Sequence, residues 1–294
     1  MKKDRQATQA DRLKELLNDS SESEQKHTKV ISITSGKGGV GKSTISANIA
    51  FMLSEMGYKV GLLDADFGLA NLDIILNTRV KQNLVDVLNE RCKLEDIIID
   101  INENLKLIPG DSGDEIFKFK DNILAEKFLA DADKLLGDLD YLIIDTGAGI
   151  SKANQAILAE SDEVIVVTMP DPSAITDAYA TIKVCSKFLN TVNLLLNFTK
   201  NQKEADLIYQ KISKIADSNI EDFKLFYLGN LSRDSLITKC SQNRLLFAKE
   251  YQNSLSFFEL SEIIRNLIEK LEHKLLTSKQ RGFAVFVRRL MDRF

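Results

Sequence analysis

At 294 residues the chain has room for one large α/β domain or two small ones, and its 44% hydrophobic and 28% charged content is that of an ordinary globular protein with ample core. A net charge of −4 argues against indiscriminate coating of nucleic acid, and three scattered cysteines (Cys92, Cys185, Cys240) without a C-x-x-C pair argue against a disulfide framework or a cysteine-held metal. No apolar run approaches the ~18 residues that span a bilayer, and the polar start is not a secretory signal, so the expected location is the cytosol.

Residues 1–28 form a polar extension. Ala10, Leu13 and Leu17 fall at i, i+3 and i+7 with Leu16 beside them, which fits a short amphipathic helix over residues 4–17; a tail with chance periodicity fits equally well. Such a helix is too short to stand alone in water and would be ordered by a partner. Asp19-Ser20-Ser21-Glu22-Ser23-Glu24 reads as a flexible linker.

Val30-Ile31-Ser32-Ile33-Thr34 is a β-branched strand that leads into Gly36-Lys37-Gly38-Gly39-Val40-Gly41-Lys42-Ser43-Thr44. The pattern G-x-x-x-x-G-K-[ST] is that of a phosphate loop: glycines let backbone N–H groups turn onto an anion, while Lys42 and Ser43 reach phosphate and Mg²⁺. Ser43 to Met56 carries apolar residues at helical spacing and stops at Gly57, so the loop has the strand and helix it requires. Lys37, directly after the first glycine, is one lysine more than the pattern needs.

Lys59 to Leu63 reads as the next strand, ending at Asp64-Ala65-Asp66-Phe67-Gly68. Carboxylates at the C-terminal edge of a parallel strand sit where ligands bind, although Asp and Gly are also common turn residues. A helix is expected over 83–92, a strand over 105–108 closed by Pro109-Gly110, and a helix over 121–137. Tyr141-Leu142-Ile143-Ile144-Asp145 has the nearly continuous apolar character of a strand buried on both faces, and Asp145 at its end is the expected acidic partner of Mg²⁺. Gly147 and Gly149 give the next loop freedom to respond to a γ-phosphate.

A strand over 163–168 is blocked by Met169-Pro170-Asp171-Pro172; helices over 173–188, 203–216 and 254–272 then alternate with strands over 192–197 and 223–228. This alternation predicts an α/β fold: a P-loop NTPase domain, residues 29–276, with a mainly parallel, doubly wound central sheet flanked by helices. His27 and His273 lie in polar surroundings and are expected at the surface.

Residues 277–294 have a different character. Phe283, Phe286, Val287, Leu290, Met291 and Phe294 form an apolar stripe at i, i+3, i+4, i+7, i+8 and i+11, with Arg288, Arg289 and Arg293 on the other face. Lys279 to Phe294 holds five basic residues against one acid, which favours an anionic membrane surface over the alternative of a helix docked on the domain's own core.

The strings K-G-G-V-G-K-S-T, L-D-A-D-F-G-L-A-N-L-D and D-T-G-A-G-I resemble the MinD/ParA class of deviant Walker A ATPases, and residues 168–183 resemble its flagellar-placement branch, FlhG or YlxH. The resemblance covers residues 28–294 and implies slow, regulatory hydrolysis of ATP with Mg²⁺ and an ATP-held homodimer. Under it Lys37 matches the signature lysine that reaches the partner subunit's phosphates, Lys42 and Ser43 match the ordinary Walker pair, and Asp66 matches the aspartate that orients the attacking water. Asp64 would support the metal shell, Asp145 would be linked to Mg²⁺, and Asn197 would read adenine. Leu231 lies in the 229–234 loop, where relatives place an adenine-contacting turn; Ser232 stands where they carry its proline.

In that branch an N-terminal D-Q-A-x-x-L-R motif stimulates the GTPase of the partner FlhF. Gln9, Ala10 and Leu13 match it, while Thr8 replaces the Asp and Lys14 the Arg, and lysine does not reproduce arginine's bidentate fork. The resemblance further implies attachment to the anionic inner face of the cell membrane, at the pole, and flagellar switch proteins or a flagellar transcription regulator as partners; no specific nucleic acid is expected. A guanine-reading N-K-x-D is absent, since Thr199-Lys200-Asn201-Gln202 lacks the carboxylate, so ATP is the expected nucleotide. A MinD-type division-site ATPase and a ParA-like partitioner of DNA or cargo share these motifs; an iron–sulfur carrier on the same fold would need paired cysteines.

Overall fold

The computed structural model describes residues 28–66, 71–110, 122–274 and 282–293. In chain order the elements are β1 (Lys29–Ser35), α1 (Lys42–Glu55), β2 (Val60–Ala65), α2 (Leu72–Ile75), α3 (Leu84–Leu88), α4 (Leu94–Ile97), β3 (Ile99–Asn102), β4 (Leu105–Pro109), α5 (Asn122–Leu136) and β5 (Tyr141–Ala148). They continue with α6 (Lys152–Ala159), β6 (Glu163–Thr168), α7 (Pro172–Cys185), β7 (Thr191–Thr199), α8 (Gln202–Asn219), β8 (Lys224–Ser232), α9 (Ser235–Gln242), α10 (Phe247–Glu250), α11 (Leu255–Lys274) and α12 (Phe283–Met291).

Among the described residues the strands form one sheet in the order β3-β4-β2-β5-β1-β6-β7-β8. Only β3 runs antiparallel to its neighbour; the other pairs are parallel. β1 and β6 are buried along their whole length, so alternate side chains feed apolar layers on opposite faces. Ile31 and Ile33 join a core with α1, α10 and α11. Val30, Ile108, Leu142 and Ile144 face the opposite layer under α5 and α6, and Val164, Val166, Leu194 and Leu196 continue that layer under α7 and α8.

The strand order reverses at β1, whose neighbours are β5 and β6. In a parallel sheet this leaves a crevice beyond the C-terminal ends of the strands. The phosphate loop after β1, Asp66 just past β2 and Ala148 at the end of β5 all border it. Asp64 and Asp145 are direct register partners on β2 and β5, so their carboxyl groups enter one space.

The stripe of 283–294 is not free. α12 packs on the domain: Phe283 and Phe286 are 1% exposed, Leu290 is 5%, and all three share a core with Phe128, Leu136 and Ile157. Val287 is partly buried in the same cluster, Met291 is half-buried, and Val285 is the exposed apolar side chain of this helix. Arg288 pairs with Glu126 at 2.9 Å, and Arg289 and Arg293 converge on Glu160 at 3.7 and 2.6 Å. An amphipathic stripe specifies an apolar partner without specifying which; in this conformation it is the protein's own core, and 283–291 is part of the domain rather than a segment beside it. Phe294 lies outside the described residues, as do Gln9, Ala10, Leu13 and Lys14.

Candidate functional site

Residues 36–44 wrap the N-terminus of α1 with the geometry their glycines dictate. Gly41 has φ +91, and a Cβ there would lie 2.3 Å from Asn197 Nδ2. Gly36 presses on α7, where a Cβ would lie 2.3 Å from the Asp177 carbonyl. Alanine therefore fits at neither position. The loop borders a cleft of about 740 Å³ lined by Gly38, Gly39, Gly41, Lys42, Ser43 and Thr44 on one side and by Asp66, Asn197, Phe198 and Leu231 on others. Val40 is buried beneath the loop at 1% exposure.

The two lysines of the loop diverge. Lys42, 7% exposed, turns inward and places Nζ 3.0 Å from Asp145 Oδ1 and 3.8 Å from Asp66. Asp145 Oδ1 also accepts the Ser46 hydroxyl at 2.9 Å. Lys37, 38% exposed, turns away and donates to Asp171 Oδ1 at 3.0 Å and to Ser173 Oγ at 2.5 Å. Asp171 caps α7 by accepting from Ala174 N. The Ser173 hydroxyl, this capping N–H and Lys37 together hold its carboxyl well below the usual carboxylate range.

Asp64 lies beside Asp145 and is held by the backbone. Both carboxylate oxygens accept backbone N–H groups, from Asp66 at 3.3 Å and Leu72 at 3.2 Å, so it braces the two ends of the loop after β2. Burial and the neighbouring Asp145 push it up to about 7. Asp66 is raised by partial burial, with Lys42 opposing the shift. Asn197 likewise serves the protein: Nδ2 donates to Val40 O at 2.8 Å, clamping the phosphate loop, and Oδ1 accepts from Phe198 N at 2.9 Å. That second bond helps hold Phe198 at φ +57, a left-handed conformation uncommon for an aromatic residue and typical of functional loops.

Asn197→Ala should leave the Val40 carbonyl without its partner and loosen the loop. Such a loss is worth ~1–3 kcal/mol, so nucleotide affinity measured by calorimetry should fall about tenfold.

Patterns in the chain do not announce Asp171, Ser173 or Asn154, all of which touch site elements. Asn154, on α6, donates to Gly147 O at 2.9 Å and Gly149 O at 3.1 Å, holding the loop after β5. The one available signal was the Asp-Pro-Ser string at 171–173, an N-cap followed by proline at the first helical position.

A phosphate loop at the switch point of a parallel sheet, with a buried lysine and strand-end acids, defines a P-loop NTPase. Comparison with known proteins narrows the class. A family model described as "ParA: NUBPL iron-transfer P-loop NTPase" matches residues 26–268. The flagellum site-determining protein YlxH of Helicobacter pylori is 43% identical over 97% of this chain and 98% of its own length. The antiactivator FleN of Pseudomonas aeruginosa is 30% identical over 90% of this chain and 93% of its own. Among solved structures, septum site-determining MinD of Pyrococcus horikoshii complexed with Mg-ADP superposes with TM-score 0.66 at 27% identity, covering 84% of this chain and 98% of that one. The chain belongs to the MinD/ParA family of deviant Walker A ATPases. The iron chemistry in the family description finds no paired thiols here: Cys185 and Cys240 are buried in layers on opposite faces of the sheet.

The residues present fit a magnesium nucleotide. Gly38 and Gly39 leave open space where a side chain would intrude, and Lys42 and Ser43 line the cleft. Magnesium in such sites takes one or two protein ligands and completes its shell with phosphate oxygens and water; Ser43 and Asp145 are the residues that would hold it.

Proposed function

We propose that this chain is an ATP-dependent dimerising switch that cycles on and off the inner face of the cell membrane and regulates flagellar number or placement. The observation that carries the reading is the divergence of two lysines from one loop: Lys42 serves its own cleft, while Lys37 points away from it to Asp171 and Ser173, partners it would exchange for the phosphates of a second subunit. Near-full-length similarity to YlxH and FleN supports the flagellar assignment.

In the proposed reaction ATP enters the cleft and Lys42 passes from Asp145 to the phosphates. Magnesium, which Ser43 and Asp145 would hold, would supply charge neutralisation at the phosphates. Water attacks the γ-phosphorus as the bond to the β–γ bridging oxygen breaks; that oxygen's electron pair leaves with ADP, and one proton of the water passes to an oxygen of the released phosphate. Asp66 orients the water, and catalysis is positioning and charge neutralisation with no covalent intermediate on the protein. Turnover is slow, so the ATP-bound dimer persists long enough to signal.

Dimerisation would bring two α12 helices to one membrane surface, and pairing two weak anchors raises avidity strongly. Because α12 is docked in this conformation, the cycle requires it to undock. Sedimentation with anionic liposomes tests this: binding should be strong with ATP and weak with ADP, and equal binding in both states would sink the membrane reading. Asp66→Ala should retain ATP binding, lose about 100-fold or more in hydrolysis, and run as a dimer with ATP by size-exclusion with light scattering. A monomer for both this variant and the wild type would refute the dimer.

The proposed partner is an FlhF-type GTPase stimulated through Gln9, Ala10, Leu13 and Lys14. A peptide of residues 1–20 should accelerate its GTP hydrolysis; no effect would favour a MinD-type division-site role. DNA binding that falls steeply with salt would instead favour a ParA-like partitioner.

A further inference from the structure

α6 lies between two features that the membrane-switch reading needs to connect. Its first turn holds the end of β5 and the loop after it by three carbonyls: Asn154 Nδ2 on Gly147 and Gly149, and Gln155 Nε2 on Ile150 at 2.7 Å. Asn154 is 2% exposed, and its Oδ1 has no partner among the described residues, so the two bonds to loop carbonyls fix which way its amide faces. One residue past the helix, Glu160 is 9% exposed and receives Arg293 Nε and Nη2 at 2.6 Å and Arg289 Nη1 at 3.7 Å from α12. Along the helix Ala153, Ala156 and Ile157 share one apolar cluster with Phe283, Phe286 and Leu290.

We infer that α6 is the coupling element of this protein, with Asn154 and Glu160 as positioning residues at its two ends. The inference rests on the membrane-switch reading and specifies how the nucleotide site reaches α12. Eight residues of helix form a rod about 12 Å long that moves as a body. A loop drawn toward a γ-phosphate pulls on Asn154 and Gln155, and the far end of the rod carries Glu160 away from the arginines. Arg289 and Arg293 are the groups an anionic lipid surface would attract, so Glu160 and lipid headgroups compete for the same two cations. Each arginine delivered to such a surface strengthens binding about fivefold, and Glu160 withholds two.

The test uses the full-length protein and vesicles of phosphatidylglycerol and phosphatidylethanolamine, with ADP or ATP. Glu160→Gln keeps the shape and a hydrogen-bonding oxygen but removes the charge. It should raise vesicle binding with ADP at least about fivefold, leave binding with ATP near wild type, and keep lipid-free ATP hydrolysis within about twofold. Amide hydrogen exchange without lipid should rise in 283–291 and stay unchanged in α11, which separates an opened clasp from a misfolded protein. Asn154→Ala should do the reverse: the dimer still forms with ATP, but ATP no longer increases vesicle binding. Wild-type binding by Glu160→Gln with ADP, or a full ATP response in Asn154→Ala, overturns the coupling while leaving the membrane reading in place. Equal binding of the wild type in both nucleotide states overturns the membrane reading itself, and the coupling with it.

Discussion

Lys42→Ala is expected to destabilise the nucleotide-free protein and abolish ATP binding together. Asp145 is 1% exposed and Asp64 4%, and Lys42 is the cation placed against Asp145 and Asp66. Removing one partner of a buried ion pair typically costs ~3–5 kcal/mol, because the remaining charge keeps its desolvation penalty and loses its compensation. In the proposed reaction the same ammonium exchanges Asp145 for phosphate when ATP enters, so it would neutralise the site in both states. Binding measured by calorimetry should fall below detection, and the melting temperature of the unliganded variant should drop by several degrees.

The pH dependence of that loss has a definite sign. Asp64 stands at about 7 in the folded protein against 3.8 in the reference state. A carboxyl raised in this way contributes stability that is full below the reference value and is lost as pH rises through the folded one. Lys42 opposes the rise, so its removal moves the upper limit higher. Melts of Lys42→Ala and wild type should therefore lie closest near pH 5 and furthest apart near pH 8. A variant equally stable to wild type at pH 8 would contradict the assigned role of the ion pair.

Much of this site was readable before any coordinates, because its parts announce themselves locally. Strands buried on both faces become unbroken apolar runs, as in Val164–Val167, and glycine positions in a phosphate loop follow from backbone needs rather than packing. Other features depend on residues far apart in sequence. Lys37 finds Asp171 across 134 positions, and Asp64 turns to Leu72 through backbone donors that no motif encodes. α6 has only eight residues, with lysine, asparagine and glutamine in its first turn, so its apolar pattern is too brief to stand out. β3 is a four-residue edge strand that stays partly exposed, which weakens its signal in the same way. The tail is the instructive case: its stripe was evident, its charge was evident, and neither distinguishes lipid from the domain's own interior.

Phe286→Ala separates those two environments. A helix free in solution would lose almost nothing from this change, whereas a side chain 1% exposed in a packed core should cost ~3–5 kcal/mol. Thermal melts should shift down by about 5–15 °C, with hydrogen exchange rising across α12. The size of that burial also sets the terms of any membrane cycle. Phe283, Phe286 and Leu290 together hold roughly 5–9 kcal/mol of apolar transfer energy, far more than opening in water could dissipate, so nucleotide alone does not expose the helix. A bilayer that accepts the same three side chains returns most of that cost. Truncating Phe286 weakens docking and insertion alike, and vesicle binding with ATP should stay within about threefold of wild type even as stability in solution falls. Vesicle binding that rises in proportion to the stability lost would mean that Phe286 contributes to docking and not to the lipid contact.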